Sequence, residues 1–173
     1  MARLTQRLGL TRFEADEYYK EALQHFEKRD IEQAILTMDE AIKMLPDNAE
    51  YHAARGFFYL QDGIDNKANA DFEKALQIYP YEMLAHYGRG VIAYRTRSWE
   101  EAVNHFLQAY RIDQHRAETL YYLALSYHRL GNNPLALSFM QQADTRFDEL
   151  GNRGNKRNAD RWVKALNRLV ENS

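Results

Sequence analysis

The chain has 173 residues, 45% of them apolar, with 23 Lys and Arg against 25 Asp and Glu. That length suits one compact domain or a short repeat array, and the apolar content is enough for a core, which argues against disorder. A formal charge of -2 gives no case for nucleic acid or an anionic membrane as partner, and without cysteine there are no disulfides, thiolate metal sites or cysteine nucleophiles.

Residues 1–14 read as an N-terminal extension. Leu4, Leu8 and Leu10 with Arg3 and Arg7 make at most a short amphipathic turn on a terminus prone to fraying. The stretch has no apolar core of a secretion signal, and no run of about 18 apolar residues follows anywhere, so the expected location is cytoplasmic.

From residue 15 the chain is organised by a 34-residue period. Ala34, Ala68, Ala102 and Ala136 form one column, and Ala41, Ala75, Ala109 and Ala143 a second. Met38, Phe72, Phe106 and Met140 lie between them. Pro46 and Pro80 are one period apart, as are Gly56 and Gly90. Such a period marks an array of helix–turn–helix units, each burying its apolar face on its neighbours. The prolines set contiguous units at 15–48, 49–82, 83–116 and 117–150. Second helices are expected near 31–45, 65–79, 99–113 and 134–149. Capping-box spacings at Thr11 and Glu14, Asp30 and Gln33, Asp47 and Glu50, and Ser98 and Glu101 mark helix starts. Asn133-Pro134 is a cap followed by proline, and Gly63 and Gly131 fall in the turns within units. Arg55 is placed to pair with Asp71 across the two helices of its unit.

Residues 151–173 follow the fourth unit. Gly151 to Arg157 reads as a polar linker, and Asn158 to Glu171 as a helix with Trp162, Ala165, Leu166 and Leu169 on one face. An array needs a terminal cap with one wet face, and this helix suits that role. Its six basic residues (Arg153, Lys156, Arg157, Arg161, Lys164 and Arg168) against Asp160 read as that wet face rather than as phosphate contacts.

The pattern of small, glycine, aromatic and alanine positions resembles the tetratricopeptide repeat family. The second unit carries Gly56, Tyr59, Ala68, Phe72, Ala75 and Pro80 at the family spacings. The third keeps Gly90, Ala102, Phe106 and Ala109 but has Gln114 in place of proline, and the first has Ala22 and His25 in place of glycine and tyrosine. The resemblance implies an all-α, right-handed superhelical solenoid of four repeats with a C-terminal capping helix. It also implies a concave side lined by first helices. The family's groove slots correspond here to Tyr19, Tyr87 and Tyr121 in one row, Leu23, Phe57, Val91 and Leu125 in the next, and Tyr94 and His128 in a third, with Arg95 and Arg129 on the rim. Rigid aromatics provide contact area at low entropic cost, so these residues are the expected site for a peptide or helix of a partner protein. The slots at which related proteins clamp acidic chaperone tails hold Tyr19, Leu23, Ala54, Leu84 and Gly88, none of them Lys, Arg or Asn, so that ligand is not expected.

No catalytic constellation is present. The six histidines are scattered, with no His-Glu-x-x-His spacing, and Gly151 to Gly154 lacks the context of a phosphate loop. The chain therefore reads as a non-enzyme without cofactor or metal, whose partner is another protein or peptide. The first reading is an adaptor or scaffold with an open groove. The alternative is a structural subunit that self-associates, or sits permanently in a complex, through the same surface.

Overall fold

The computed structural model describes the backbone of residues 2–172 and the side chains of residues 9–172. Among them the chain forms nine helices and no strand. These are α1 (Ala2–Glu27), α2 (Ile31–Met44), α3 (Ala49–Gln61), α4 (Asp65–Ile78), α5 (Met83–Arg95), α6 (Trp99–Ile112), α7 (Ala117–Arg129), α8 (Asn133–Glu149) and α9 (Arg153–Glu171). The second helices α2, α4, α6 and α8 begin and end within a residue of the positions that the period predicts. The side chains of Arg3, Leu4, Arg7 and Leu8 lie outside the described residues.

Two compact units divide the chain, Met1–Gly88 and Arg89–Ser173. In the first, α1 packs on α2, α2 on α3 and α3 on α4. Its core joins Ala15, Ala22, Ala34, Met38, Ala41, Tyr51 and Phe58. In the second, α6 packs on α7, α7 on α8 and α8 on α9, around Leu120, Ala124, Ala136, Met140, Phe147, Ala159 and Leu166. All eight column alanines, with Met38, Phe72, Phe106 and Met140 between them, are fully buried. The small residue lets two helix backbones approach, and the large one fills the space beside them.

The turns inside the units share one backbone requirement. Arg29, Gly63, Arg97 and Gly131, each 34 residues apart, all have positive φ, between 63° and 79°. Glycine adopts that left-handed conformation freely, whereas an L side chain is strained there. The period thus fixes the turn geometry even where the residue is an arginine.

The Arg55 pair expected from sequence is present and larger than expected. The guanidinium grips Asp71 through Nε at 2.8 Å and Nη2 at 2.7 Å, while Nη1 reaches Asp39 on α2 at 2.7 Å. Burial by itself would raise the Asp71 pKa, but the hydrogen bonds and charges of Arg55 and His52 override it and hold the carboxyl below its ordinary value. His52 is buried beside this group, with Nδ1 3.4 Å from Asp71 and Nε2 2.8 Å from the carbonyl of Pro46.

Several local expectations are corrected. The Thr11 and Glu14 pair lies inside α1, not at its start. Nothing between Ala2 and Thr11 stops a helix, since there is no proline and a single glycine costs only about 1 kcal/mol. Asn48, not Asp47, caps α3, accepting from the Tyr51 amide at 3.3 Å. Ser98 stands at the cap of α6 without a side-chain bond, and α8 is capped by Asn132 rather than Asn133. Helix α9 begins at Arg153, capped by Asn152, so most of the expected linker is helical. It covers α8 through Ala159, Val163 and Leu166, with Trp162 at the edge, while Ala165 and Leu169 remain exposed.

Candidate functional site

The expected docking residues are distributed over both units. In the first unit, Tyr19 of α1 leans on Tyr51 of α3, with ring centroids 5.3 Å apart, and its hydroxyl donates to Glu50 Oε1 at 3.0 Å. Burial, then the Glu50 charge and hydrogen bond, pushes the Tyr19 phenol well above its ordinary range, so it stays a neutral donor. Glu82 is also raised, first by burial and then by the charge of Glu50, against a bond from the Leu84 amide. Tyr51 donates in turn to Asp16. Leu23 is exposed, and Phe57 is half-buried against Phe26. Tyr87 is only 7% exposed.

In the second unit, Val91 and Leu125 are buried and form floor rather than contact surface. Tyr94 and Tyr121 are half-buried, and both stand edge-on to Tyr122, at 5.6 and 6.0 Å between centroids. Tyr94 also meets Trp99 at 5.1 Å, and the exposed Arg129 guanidinium lies 5.7 Å from the centre of that indole. Such a cation–π contact contributes about 0.5–1 kcal/mol at an exposed site and holds the guanidinium in place. His128 packs edge-on against Trp162 of α9 at 5.3 Å. Arg95 is exposed at the end of α5.

Helix α9 brings residues to this surface that the sequence reading left out. Tyr121, Asn158, Arg161, Trp162 and Ala165 line a cavity of about 530 Å³ between α7 and α9. Burial raises the Tyr121 phenol above its ordinary value, an effect that a hydrogen bond with Trp162 opposes. Arg161 Nη2 donates to Asn158 Oδ1 at the cavity wall. The sequence signal for this extension is an indole at the border of the apolar face of α9 with an arginine next to it, a pattern that a capping helix also shows. The cavity combines apolar walls, an uncharged phenol and a cation, an arrangement suited to an aromatic or aliphatic side chain beside a carboxylate.

Among the described residues no three His, Asp or Glu side chains converge as metal ligands would, and no helix is long and apolar enough to cross a membrane.

Comparison with known proteins covers most of the chain. A family model described as tetratricopeptide repeat matches residues 19–82 and 66–117, and a second of the same description matches 118–149. No curated protein matches in sequence. Among solved structures, pilF of Pseudomonas aeruginosa is similar with a TM-score of 0.69 at 18% identity, over 90% of this chain and 78% of that one. YrrB, described as a TPR protein with an unusual peptide-binding site, is similar at 0.61 and 16% identity, over 86% of this chain and 84% of that one. The first TPR of Spaghetti (RPAP3), solved with the HSP90 peptide SRMEEVD, is similar at 0.63 and 17% identity, over 68% of this chain and 93% of that one. At these identities the likeness is one of fold.

Proposed function

The chain belongs to the tetratricopeptide repeat family, a fold that mediates protein–protein interaction, and from that premise we propose that the second unit holds a segment of a partner protein on its first-helix face. The observation that carries this reading is the Tyr121–Trp162 cavity with the exposed Arg161 in its lining. Tyr94, Tyr121 and Trp162 supply rigid apolar area, and Arg129 and Arg161 supply charge. Tyr, Trp and Arg are the side chains that dominate binding energy at protein interfaces. The ligand that fits is an extended or helical segment with an apolar anchor followed by an acidic residue. The positions used by the chaperone-tail clamp carry no Lys, Arg or Asn, so a ligand like that of the RPAP3 repeat is not the one proposed. The protein acts as a non-catalytic adaptor in this reading.

Selection of peptides from a random library against the full chain tests the proposal. Enriched peptides should share an apolar anchor and an acidic neighbour. Tyr121→Ala and Arg129→Glu should each weaken their binding, the first by about thirtyfold, corresponding to roughly 2 kcal/mol, with the helical spectrum unchanged. Enrichment of peptides that bind both variants at wild-type strength would place the site elsewhere.

A further inference from the structure

The outward face of α9 is a line of cations. At about 100° a residue, Arg153, Arg157, Arg161, Lys164 and Arg168 fall within about 80° of the helix circumference and extend over about 22 Å. All five are exposed, on the side opposite the buried Ala159 and Leu166. The exposed Ala165 and Leu169 flank the line. Nothing in the proposed cavity requires Arg153, Arg157 or Arg168.

The complementary face is on α1. Leu10, Phe13, Glu14, Glu17 and Glu21 share about 100° of that helix, opposite the buried Ala15 and Ala22. Leu10 and Phe13 are 57% and 62% exposed, more than a folded surface needs to leave in water at adjacent helical positions. The units are polarised in the same sense. Residues 1–88 hold ten Lys and Arg against sixteen Asp and Glu, a net -6, and residues 89–173 hold thirteen against nine, a net +4.

We infer that α9 of one molecule docks on α1 of a second copy, head to tail, with Arg157, Arg161 and Arg168 facing Glu14, Glu17 and Glu21 while Leu10 and Phe13 cover Ala165 and Leu169. Each carries an apolar flank next to its charges, so the contact buries area as well as pairing ions. Local partners compete only weakly. Glu17 bonds Lys20 at 2.7 Å and Lys164 bonds Asp160 at 2.8 Å, both exposed pairs of small individual worth. A phosphate backbone or an anionic bilayer also offers charge to these cations, but the chain as a whole carries -2, whereas α1 of a second copy offers carboxylates and an apolar flank together.

Sedimentation of the full chain over a range of concentrations, at low and high salt, is the test. Mass should rise with concentration at low salt, and the dissociation constant should weaken by about tenfold or more at high salt as the ion pairs are screened. The triple variant Arg157→Glu, Arg161→Glu, Arg168→Glu should be monomeric, as should Glu14→Lys, Glu17→Lys, Glu21→Lys, and an equimolar mixture of the two should associate again. If a charge reversal lowers helical content, the neutral pair Arg157→Gln, Arg168→Gln takes its place and should weaken association by severalfold. A monomer under all conditions, or association that both triples leave unchanged, overturns the inference. So does a monomer that is retained through α9 on phosphatidylserine vesicles or on duplex DNA. The charge variant of α1 does not touch the Tyr121 cavity, so peptide binding there stands or falls separately.

Discussion

Gly88 stands against the ring of Phe72: a Cβ on Gly88 would lie 2.1 Å from Phe72 Cζ. Gly56 meets the same ring from α3, where a Cβ would lie 2.8 Å from Cε1. Phe72 is fully buried, so the ring has little freedom to retreat. Gly88→Ala should therefore destabilise the protein by about 2–3 kcal/mol, as overpacked cores do, and Gly56→Ala by less. Chemical denaturation of the two variants measures both values; equal or negligible losses would contradict the packing described.

The turn column leads to a prediction with opposite signs at alternate positions. Arg29 and Arg97 hold φ of 64° and 63°. Arg29→Gly and Arg97→Gly should each raise stability by a few tenths to about 1 kcal/mol by removing strain, offset in part by the entropy of a freer unfolded chain. Gly63→Ala and Gly131→Ala should lower it by about 1 kcal/mol, although a Cβ at either would meet no atom within 4 Å. Thermal melts of the four single variants separate backbone strain from packing.

Acid should act through Asp71. Its folded-state pKa is depressed, so its contribution is complete above the ordinary value of 3.8 and is lost as pH falls through the lower folded value. Asp71→Asn should cost about 3 kcal/mol at neutral pH, because Arg55 keeps its burial and loses its two-pronged partner. The variant should also show a shallower loss of stability below about pH 4, where the carboxylate of the unfolded wild-type chain begins to protonate. Denaturation curves collected from pH 7 to pH 3 read both effects.

Removal of residues 151–173 should uncover the apolar surface of α8 and α7 that Ala159, Val163 and Leu166 cover. A face of that kind is seldom tolerated in water. The shortened chain is expected to aggregate or to melt well below the full chain, and an equally stable monomer would show α9 to be dispensable.

How much of this was readable beforehand follows from which physical terms repeat. The alanine columns and the residues between them repeat because close helix packing recurs every 34 positions, and they located α2, α4, α6 and α8 to within a residue. Arg55 and Asp71 were readable because a buried cation requires a partner. The second carboxylate, Asp39, was not, since a contact between units has no fixed spacing rule. Asn152 was overlooked because Gly151 and Gly154 on either side suggest a linker, yet a single capped start carries α9 through Gly154. The strained turns at Arg29 and Arg97 were invisible: arginine gives no local sign of a left-handed backbone, and only the register with Gly63 and Gly131 supplies it. Among the docking residues, Tyr87, Val91 and Leu125 occupy the slots that the pattern assigns but are buried. Whether a slot is open depends on the bulk of its neighbours, which helical phase does not encode.

The Arg55 network also bears on how the first unit opens. Its guanidinium joins Asp39 on α2 to Asp71 on α4, and His52 adds the carbonyl of Pro46. One period later the two carboxylate positions are occupied by Glu73 and His105, so the same pair of acids does not recur. Amide hydrogen exchange should register this asymmetry. The central amides of α2, α3 and α4 should exchange as one cooperative block with a shared opening free energy, since α3 and α4 cannot part without stranding the buried Asp71 and α2 is tied to them through Asp39. Helix α9, held on α8 by the part-exposed Lys156–Asp144 pair at 2.9 Å and by apolar packing but by no deeply buried charge, should exchange earlier and by itself. A chain built from near-identical units would then come apart in unequal steps.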